Sequence, residues 1–174
     1  KKTLLIIGGS QGARSINQSI LAGLDRILEA GVQVIWQTGI GFESTAKQAA
    51  SSHPTTYVSA FIYEMDLAYA MSDLVISRAG ASSVSEICLT GKASILVPLP
   101  IAAEDHQTEN AKSLVSQHAA ILVRDADVKE KLVSTALDAL RSDLSAFEKN
   151  SLKLAKPNAA HEIALSILHA WKKN

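Results

Sequence analysis

Short runs of apolar, β-branched residues alternate along this chain with longer stretches in which apolar positions recur every three or four residues. The short runs predict six strands, at residues 3–7, 33–37, 56–58, 74–77, 94–97 and 120–123. Strands that are apolar throughout are typical of a parallel sheet covered on both faces. Their alternation with helices predicts an α/β domain built on a doubly wound parallel sheet.

The longer stretches predict amphipathic helices. Residues 14–30 form the first of these, and Gly31 follows it as a left-handed C-terminal cap. Gly91 is expected to end a helix at residues 84–90 in the same way. Beyond the last strand the pattern predicts three helices, at residues 127–140, 145–155 and 159–172. We therefore expect one domain of 174 residues whose C-terminal segment, from about residue 127, is helical.

The composition is that of an ordinary globular protein, with 47% hydrophobic and 20% charged residues. The 17 basic residues equal the 17 acidic ones, which argues against a nucleic-acid-binding surface. No apolar run is long enough to span a membrane. The single cysteine, Cys88, excludes an internal disulfide, and we expect it in the core. None of the histidines has another metal ligand at a suitable spacing, so we predict no metal site and no cofactor.

Two polar turns that contain glycine follow the first and fourth predicted strands. Residues 8–12 read Gly-Gly-Ser-Gln-Gly, and residues 78–86 read Arg-Ala-Gly-Ala-Ser-Ser-Val-Ser-Glu. Where a strand breaks at a glycine into a helix, the unpaired N–H groups and the positive dipole end of the helix attract phosphate. The first and fourth strands are the usual central neighbours of such a sheet. We therefore expect the two turns to lie side by side and to bind a nucleotide or a nucleotide sugar.

Each of these turns also has a purely local interpretation. Ser10 either contacts a ligand or caps a helix as its N-cap residue. Ser83 and Glu86 have the Ser-x-x-Glu spacing of a capping box. Glu86 could instead accept hydrogen bonds from a ribose diol, as acidic residues do in nucleotide sites. The spacing alone favours the capping box.

The polar loop after the fifth strand, residues 98–110, leads into a helix. Asp105 is expected to cap that helix. His106, Gln107 and Asn110 follow near its start. They either meet the hydroxyls of a sugar or belong to a solvated helix end, and the local sequence favours the solvated end.

Two other segments are interpreted as structural. After the third strand, Phe61 and Met65 are predicted to be core residues, and Ile62 could pack against a flat base although nothing local requires it. Asp125 and Asp127 resemble the Asp-x-Asp pair with which some sugar-transferring enzymes hold a metal. We interpret them instead as a helix start, because the four residues from Asp127 have capping-box spacing and because the segment is expected to lie away from the glycine turns.

Four motifs, taken in order, resemble the MurG family of bacterial N-acetylglucosaminyltransferases. They are GGSQGA at 8–13, FIYEM at 61–65, SRAGASSVSE at 77–86 and DHQTENA at 105–111. The match spans nearly the whole chain but only the C-terminal, donor-binding half of that family's GT-B fold. It implies a Rossmann-like sheet of about six strands, with the N-terminal acceptor domain absent. The chain begins at Lys1 without a methionine, and we expect it to be half of a larger enzyme.

The resemblance implies which residues bind UDP-GlcNAc. Ser10 matches a residue at the diphosphate, and Ile62 matches the residue whose backbone reads the edge of the uracil ring. Glu86 matches the ribose ligand, which replaces the capping interpretation, and Gln107 matches the residue that binds the GlcNAc hydroxyls. The helix start that receives the phosphates comprises Ala81, Ser82, Ser83, Val84 and Ser85. Further candidates are Gly9, Gln11, Arg78, His106 and Asn110.

The family transfers GlcNAc to lipid I with inversion and forms lipid II for peptidoglycan synthesis. By this resemblance the helix start stabilises the leaving UDP, in place of a metal. The general base and the acceptor site are expected in the absent domain, so the chain alone is expected to bind the donor without catalysing transfer. The resemblance also implies a cytoplasmic protein that meets the inner face of the bacterial membrane through the absent domain.

Two other functions stay open. The chain could be the soluble UDP-GlcNAc-binding subunit of a two-chain, membrane-associated glycosyltransferase, which an exposed apolar C-terminal helix carrying Ile163, Ile167 and Trp171 would favour. A dinucleotide-dependent oxidoreductase is less favoured, because residues 8–12 do not fit the Gly-x-Gly-x-x-Gly fingerprint and no acidic residue ends the second strand.

Overall fold

The computed structural model describes residues 1–9, 11–100 and 105–171. Within them, all strands belong to one parallel sheet, with the order β3-β2-β1-β4-β5-β6. The strands are β1 (Thr3–Ile7), β2 (Gln33–Gln37), β3 (Thr56–Ser59), β4 (Leu74–Ser77), β5 (Ala93–Leu96) and β6 (Ile121–Leu122). The six predicted strands are confirmed, each with ends within one residue of those expected.

Helices connect the strands and cover the sheet. They are α1 (Arg14–Glu29), α2 (Glu43–Ala50), α3 (Met65–Met71), α4 (Ala81–Thr90), α5 (His106–Ser116), α6 (Val128–Arg141), α7 (Ser145–Lys153) and α8 (Ala159–Trp171). Single 3₁₀ turns lie at Ile40–Phe42 and Asp125–Asp127. The glycines predicted to end α1 and α4 are confirmed, since both have positive φ, 77° at Gly31 and 61° at Gly91.

The start of α4 differs from the one that the apolar pattern predicts, but agrees with the helix start at residues 81–85 that the family resemblance implies. The helix begins at Ala81, three residues before the expected start, and Gly80 occupies the N-cap position with an extended backbone. No side chain makes a capping hydrogen bond there. The capping-box interpretation of Ser83 and Glu86, which the spacing alone favoured, is therefore wrong, because Ser83 already lies inside the first helical turn.

The core consists of two apolar layers, one on each face of the sheet, because alternate residues of a strand point to opposite faces. One layer packs the sheet against α1 and α6 and includes Leu4, Ile6, Trp36, Ile20 and Leu132. The other lies beneath α3, α4 and α5 and includes Leu5, Val75, Ile87, Cys88 and Leu114. Cys88 is a core residue, as predicted, and burial raises the pKa of its thiol.

Helix α8 has no buried residue along its described length. Its large apolar side chains are exposed, among them Ile163, Ile167 and Trp171. Across the described ranges, no helix combines the length and the hydropathy that crossing a bilayer requires.

Candidate functional site

The turns after β1 and β4 meet at the point where the strand order of the sheet reverses. Strands β1 and β4 are hydrogen-bonded neighbours, with Ile7 opposite Ser77 at their carboxyl ends. From β1 the chain winds outward through β2 and β3, and from β4 it winds the other way through β5 and β6. Open α/β sheets bind ligands outside the carboxyl ends of the strands at such a switch point. The expectation that the two turns are adjacent is confirmed.

The turn after β1 is tied to the end of β2. The Gly8 N–H donates to the Gln37 carbonyl at 2.9 Å. Gly12 has a φ of 75°, and a Cβ on it would lie 2.5 Å from the Thr38 carbonyl oxygen. The buried Asn17 donates to that same carbonyl at 2.8 Å and accepts from the Trp36 indole at 3.0 Å. These contacts attach Gly8 and Gly12 to the end of β2.

The alternative role of Ser10 as a helix cap is wrong, because α1 begins at Arg14 with Ala13 at the N-cap position. Ser10 itself lies outside the described residues. Its neighbours Gly9 and Gln11 lie at the carboxyl edge of β1, and the Gly9 carbonyl accepts a hydrogen bond from the Gly12 N–H at 3.1 Å. Gln11 is exposed to solvent.

The start of α4 is open by comparison. The first hydrogen bond of this helix runs from the Val84 N–H to the Gly80 carbonyl at 3.0 Å. The N–H groups of Ala81, Ser82 and Ser83 therefore have no acceptor within the helix. No acidic residue stands in the first turn, so the positive end of the helix dipole is not offset locally. The arrangement suits an anion.

Glu86 stands one turn beyond this start, on the exposed surface of α4. Its Oε2 accepts a hydrogen bond from the Tyr69 hydroxyl of α3 at 3.1 Å. The carboxylate thus has a partner from another helix rather than a capping role. Tyr69 was not identified from the sequence, because its partner Glu86 lies 17 residues further along the chain.

Arg78, expected to lie near the ligand, has most of its donors engaged within the protein. Its guanidinium forms an ion pair with Asp125 and also donates to Ser15 Oγ at 3.0 Å. Further bonds reach the carbonyls of Val97 and Pro98 at 3.2 and 3.3 Å. Arg78 therefore joins the end of β4 to α1, to the loop after β5 and to the segment after β6. This is a supporting role for the loops of the site.

The Arg78 contact corrects the prediction for Asp125, which was expected to lie away from the glycine turns. Asp125 accepts a hydrogen bond from Ser15 at 2.6 Å, at the start of α1. Burial acts to raise the pKa of Asp125, but the hydrogen bonds from Ser15 and Arg78 and the Arg78 charge outweigh it and lower the pKa. Asp127 occupies the N-cap position of α6 without a capping hydrogen bond, so the predicted capping box is also wrong.

The first residues of α5 approach the site from the β5 side. Gln107 accepts a hydrogen bond from the Leu99 N–H at 3.0 Å, and Asn110 donates to the Ala79 carbonyl at 3.0 Å. His106 is the exposed first residue of the helix. Asp105 stands at the N-cap position, as predicted, but has a φ of 54° and makes no capping hydrogen bond. These contacts bring α5 against the turn that leads into α4.

The segment after β3 reaches the same edge. Ile62 is buried, and its N–H donates to the Gln37 side chain at 3.0 Å. Met65 packs against the second core layer, as predicted. The prediction that Phe61 is a core residue is wrong, because Phe61 is 44% exposed and packs edge-on against Tyr63. Gln37 was also missed, although a polar residue at the end of an apolar strand is a visible signal.

Among residues 1–9, 11–100 and 105–171, no three His, Cys, Asp or Glu side chains form a cluster able to hold a metal ion. The two aspartates of the Asp-x-Asp pair are each paired with a cation. Asp125 pairs with Arg78, and Asp127 lies 3.4 Å from the Lys131 ammonium.

The fold and the switch-point turns define a Rossmann-like domain of the kind that binds nucleotides. Residues 3–163 match the family model described as the glycosyltransferase family 28 C-terminal domain, and the chain belongs to this family. The expected family resemblance is thereby confirmed.

Relatives and a solved structure agree with this family. The UDP-N-acetylglucosamine--N-acetylmuramyl-(pentapeptide) pyrophosphoryl-undecaprenol N-acetylglucosamine transferase of Porphyromonas gingivalis is 47% identical over 98% of the chain. The enzyme of the same name from Bacteroides thetaiotaomicron is 48% identical over 97% of the chain. In each case the chain spans 47% of the relative, or about half its length.

The crystal structure of Acinetobacter baumannii MurG matches 97% of this chain and 50% of the MurG chain, with a TM-score of 0.87 and 31% identity. The expected α/β fold, a Rossmann-like GT-B C-terminal domain, is confirmed. The roles of individual residues in binding a ligand stay predictions.

Proposed function

We propose that this chain binds UDP-GlcNAc at the carboxyl edge of its sheet and is the donor-binding part of an N-acetylglucosaminyltransferase that converts lipid I to lipid II. The observation that carries the proposal is the adjacency of the β1 turn and the open start of α4 at the switch point. The names of the relatives support the choice of donor and acceptor.

In this proposal the diphosphate lies against the start of α4. The free N–H groups of Ala81, Ser82 and Ser83 donate to its oxygens, with Val84 and Ser85 completing the turn. Ser10 and the glycines beside it approach from the β1 turn. When the glycosidic bond breaks, negative charge gathers on the leaving UDP, and the helix dipole stabilises that charge where it forms.

The nucleoside extends from this point towards the β3 side of the sheet. Glu86 accepts hydrogen bonds from the ribose hydroxyls, and the backbone of Ile62 meets the edge of the uracil ring. The Ile62 N–H already has an acceptor in the Gln37 side chain. The uracil must therefore replace Gln37 as the acceptor or use the Ile62 carbonyl instead.

The sugar lies towards α5, where Gln107 binds its hydroxyls beside His106 and Asn110. The hydrogen bonds of Gln107 to Leu99 and of Asn110 to Ala79 orient these amides before the ligand arrives. Each amide keeps further donor or acceptor sites for hydroxyl groups.

Transfer with inversion needs an acceptor hydroxyl that attacks in line while a general base removes its proton. The chain spans about half the length of its relatives, and we infer that the remaining half supplies the base, the acceptor site and the contact with the inner membrane face. We therefore expect donor binding without transfer from this chain alone. The exposed apolar residues of α8 suit a partner of any kind, and so do not favour a separate two-chain enzyme over this proposal.

Ligand-dependent thermal unfolding tests the proposal. UDP and UDP-GlcNAc are expected to raise the free energy of unfolding by about 2.7 kcal/mol at 100 times their Kd. NAD, at the same concentration, is expected to have no effect, and UDP-glucose measures selectivity for the sugar. Stabilisation by NAD and not by UDP would contradict the proposed function.

A further inference from the structure

One buried hydroxyl reaches an exposed carboxylate of the proposed site. Tyr69 of α3 is only 3% exposed, and its ring packs in the second core layer. Its hydroxyl nevertheless ends 3.1 Å from Oε2 of Glu86, on the surface of the neighbouring helix. The two residues are 17 positions apart, so the contact depends on the packing of α3 against α4.

The Tyr69 hydroxyl can act only as a donor in this pair, because an ionised carboxylate has no proton to give. Burial, reinforced by the charge and the hydrogen bond of Glu86, raises the pKa of Tyr69 well above its usual range. The phenol therefore keeps its proton throughout the neutral range, and its hydroxyl can donate to Glu86 over that whole range.

The bond also limits the freedom of Glu86. An exposed glutamate samples several side-chain rotamers, and ordering one on ligand binding has an entropic cost. The core fixes the Tyr69 ring, so the hydroxyl directs one oxygen of Glu86 and leaves Oε1 to accept from a ligand. A carboxylate oxygen with two lone pairs can accept from both hydroxyls of a vicinal diol.

We propose that Tyr69 is a positioning residue, which holds Glu86 ready for the ribose diol and so favours ribonucleotides over deoxyribonucleotides. This inference rests on the proposed function, because it assigns Glu86 to the ribose. The alternative is that the contact only satisfies the hydroxyl of a buried tyrosine.

The test compares two ligands on matched variants of the 174-residue chain by isothermal titration calorimetry. The ligands are UDP and 2′,3′-dideoxy-UDP, which lacks the diol. Tyr69→Phe removes the buried hydroxyl and keeps the ring. The control is Tyr57→Phe, which removes a hydroxyl from a tyrosine that is 58% exposed on the edge strand β3.

Tyr69→Phe is expected to weaken UDP binding by up to roughly tenfold, because the ligand must then order the Glu86 side chain itself. Binding of dideoxy-UDP is expected to stay within about twofold of wild type. In a Glu86→Ala background, adding Tyr69→Phe is expected to change neither affinity, because the group that it positions is gone. Tyr57→Phe is expected to bind both ligands like wild type.

Equal weakening of both ligands by Tyr69→Phe would overturn the inference and leave Tyr69 a packing residue. Unchanged UDP binding by that variant would also overturn it, while the proposed function survived. A wild-type chain that does not bind UDP would overturn the proposed function and the inference together. A crystal structure of the wild-type complex gives a second test that needs no variant, since a bound ribose with the Tyr69–Glu86 bond broken would contradict the inference.

Discussion

The two turns at the switch point are built in opposite ways. The turn after β1 is closed by the protein itself, with the Gly12 backbone packed against the Thr38 carbonyl, and with Asn17 bonded to that carbonyl and to the Trp36 indole. The turn after β4 is open where it enters α4, since a Cβ on Gly80 would meet nothing within 4 Å and no side chain caps the helix. The first turn uses its polar groups within the protein, whereas the N–H groups at the start of α4 have no acceptor within their helix and are, in our proposal, the ones that bind the ligand. Mutations should therefore affect stability at the first and binding at the second.

The largest loss of stability is expected from Gly12→Ala. Its φ of 75° is unfavourable for alanine, and the new Cβ would lie 2.5 Å from the Thr38 carbonyl oxygen, a backbone atom with little room to move. We expect a loss of about 3 kcal/mol or more in the free energy of unfolding, measured by urea denaturation. Gly41→Ala is the matched control, because its Cβ would meet nothing within 4 Å. A comparable loss in both variants would show that the β1 turn is no more constrained than an ordinary loop.

Asn17→Ala is expected to have the next largest effect. The change leaves the Thr38 carbonyl without its side-chain donor and the Trp36 indole N–H without its acceptor, and all three residues are buried. We expect a loss of about 2–3 kcal/mol in the free energy of unfolding. Gln18→Ala, at the exposed neighbouring position of α1, should change stability by less than about 0.5 kcal/mol. If both variants unfold at the same urea concentration, the bonds of Asn17 contribute nothing to stability.

The two turns also differ in how well the sequence predicts them. The strands were predictable because each is an apolar run that must be buried on both faces, and the adjacency of the turns followed from the usual strand order. The start of α4 was misplaced because Ser83 and Glu86 happen to have capping-box spacing, whereas the chain turns into the helix at Gly80.

The polar contacts of the site could not be predicted, because their partners are distant in the chain. Arg78 and Asp125 are 47 residues apart, and Asp125 and Ser15 are 110 apart. Each of these contacts depends on how the helices pack against the completed sheet. Local spacing carries no information on such pairs, which is why Asp125 was assigned to a helix start away from the glycine turns.

Asp125→Asn tests the network that links the two turns. Asp125 is 23% exposed, and asparagine keeps its shape but leaves the half-buried Arg78 without a counter-charge. We expect a loss of about 1–2 kcal/mol in the free energy of unfolding at pH 7. Because the pKa of Asp125 is lower in the folded chain, its contribution is present in full above the unfolded pKa of about 3.9 and falls as pH drops towards the folded pKa.

The difference between wild type and Asp125→Asn should therefore shrink below about pH 4. Thermal unfolding followed by circular dichroism across this range measures it. Asp138→Asn is the control, since its carboxylate is exposed at a distance of 3.6 Å from Arg141. A difference that stays constant down to the lowest pH would exclude a contribution from the Asp125 charge.

The smallest change in stability is expected at the open turn. Glu86 is exposed and forms no cap, and Ser83 makes no capping hydrogen bond. Ser83→Ala should therefore alter the free energy of unfolding by less than about 0.5 kcal/mol, whereas loss of a true N-cap typically removes about 1 kcal/mol. Glu86→Ala should remove about 1 kcal/mol, because it takes away the acceptor of the Tyr69 hydroxyl. Glu86→Ala should also weaken UDP binding about tenfold or more, because the ribose hydroxyls lose a charged acceptor. A Ser83→Ala chain that is less stable by about 1 kcal/mol, together with a Glu86→Ala chain that binds UDP like wild type, would reverse the assignment, and the turn after β4 would then be structural like its neighbour.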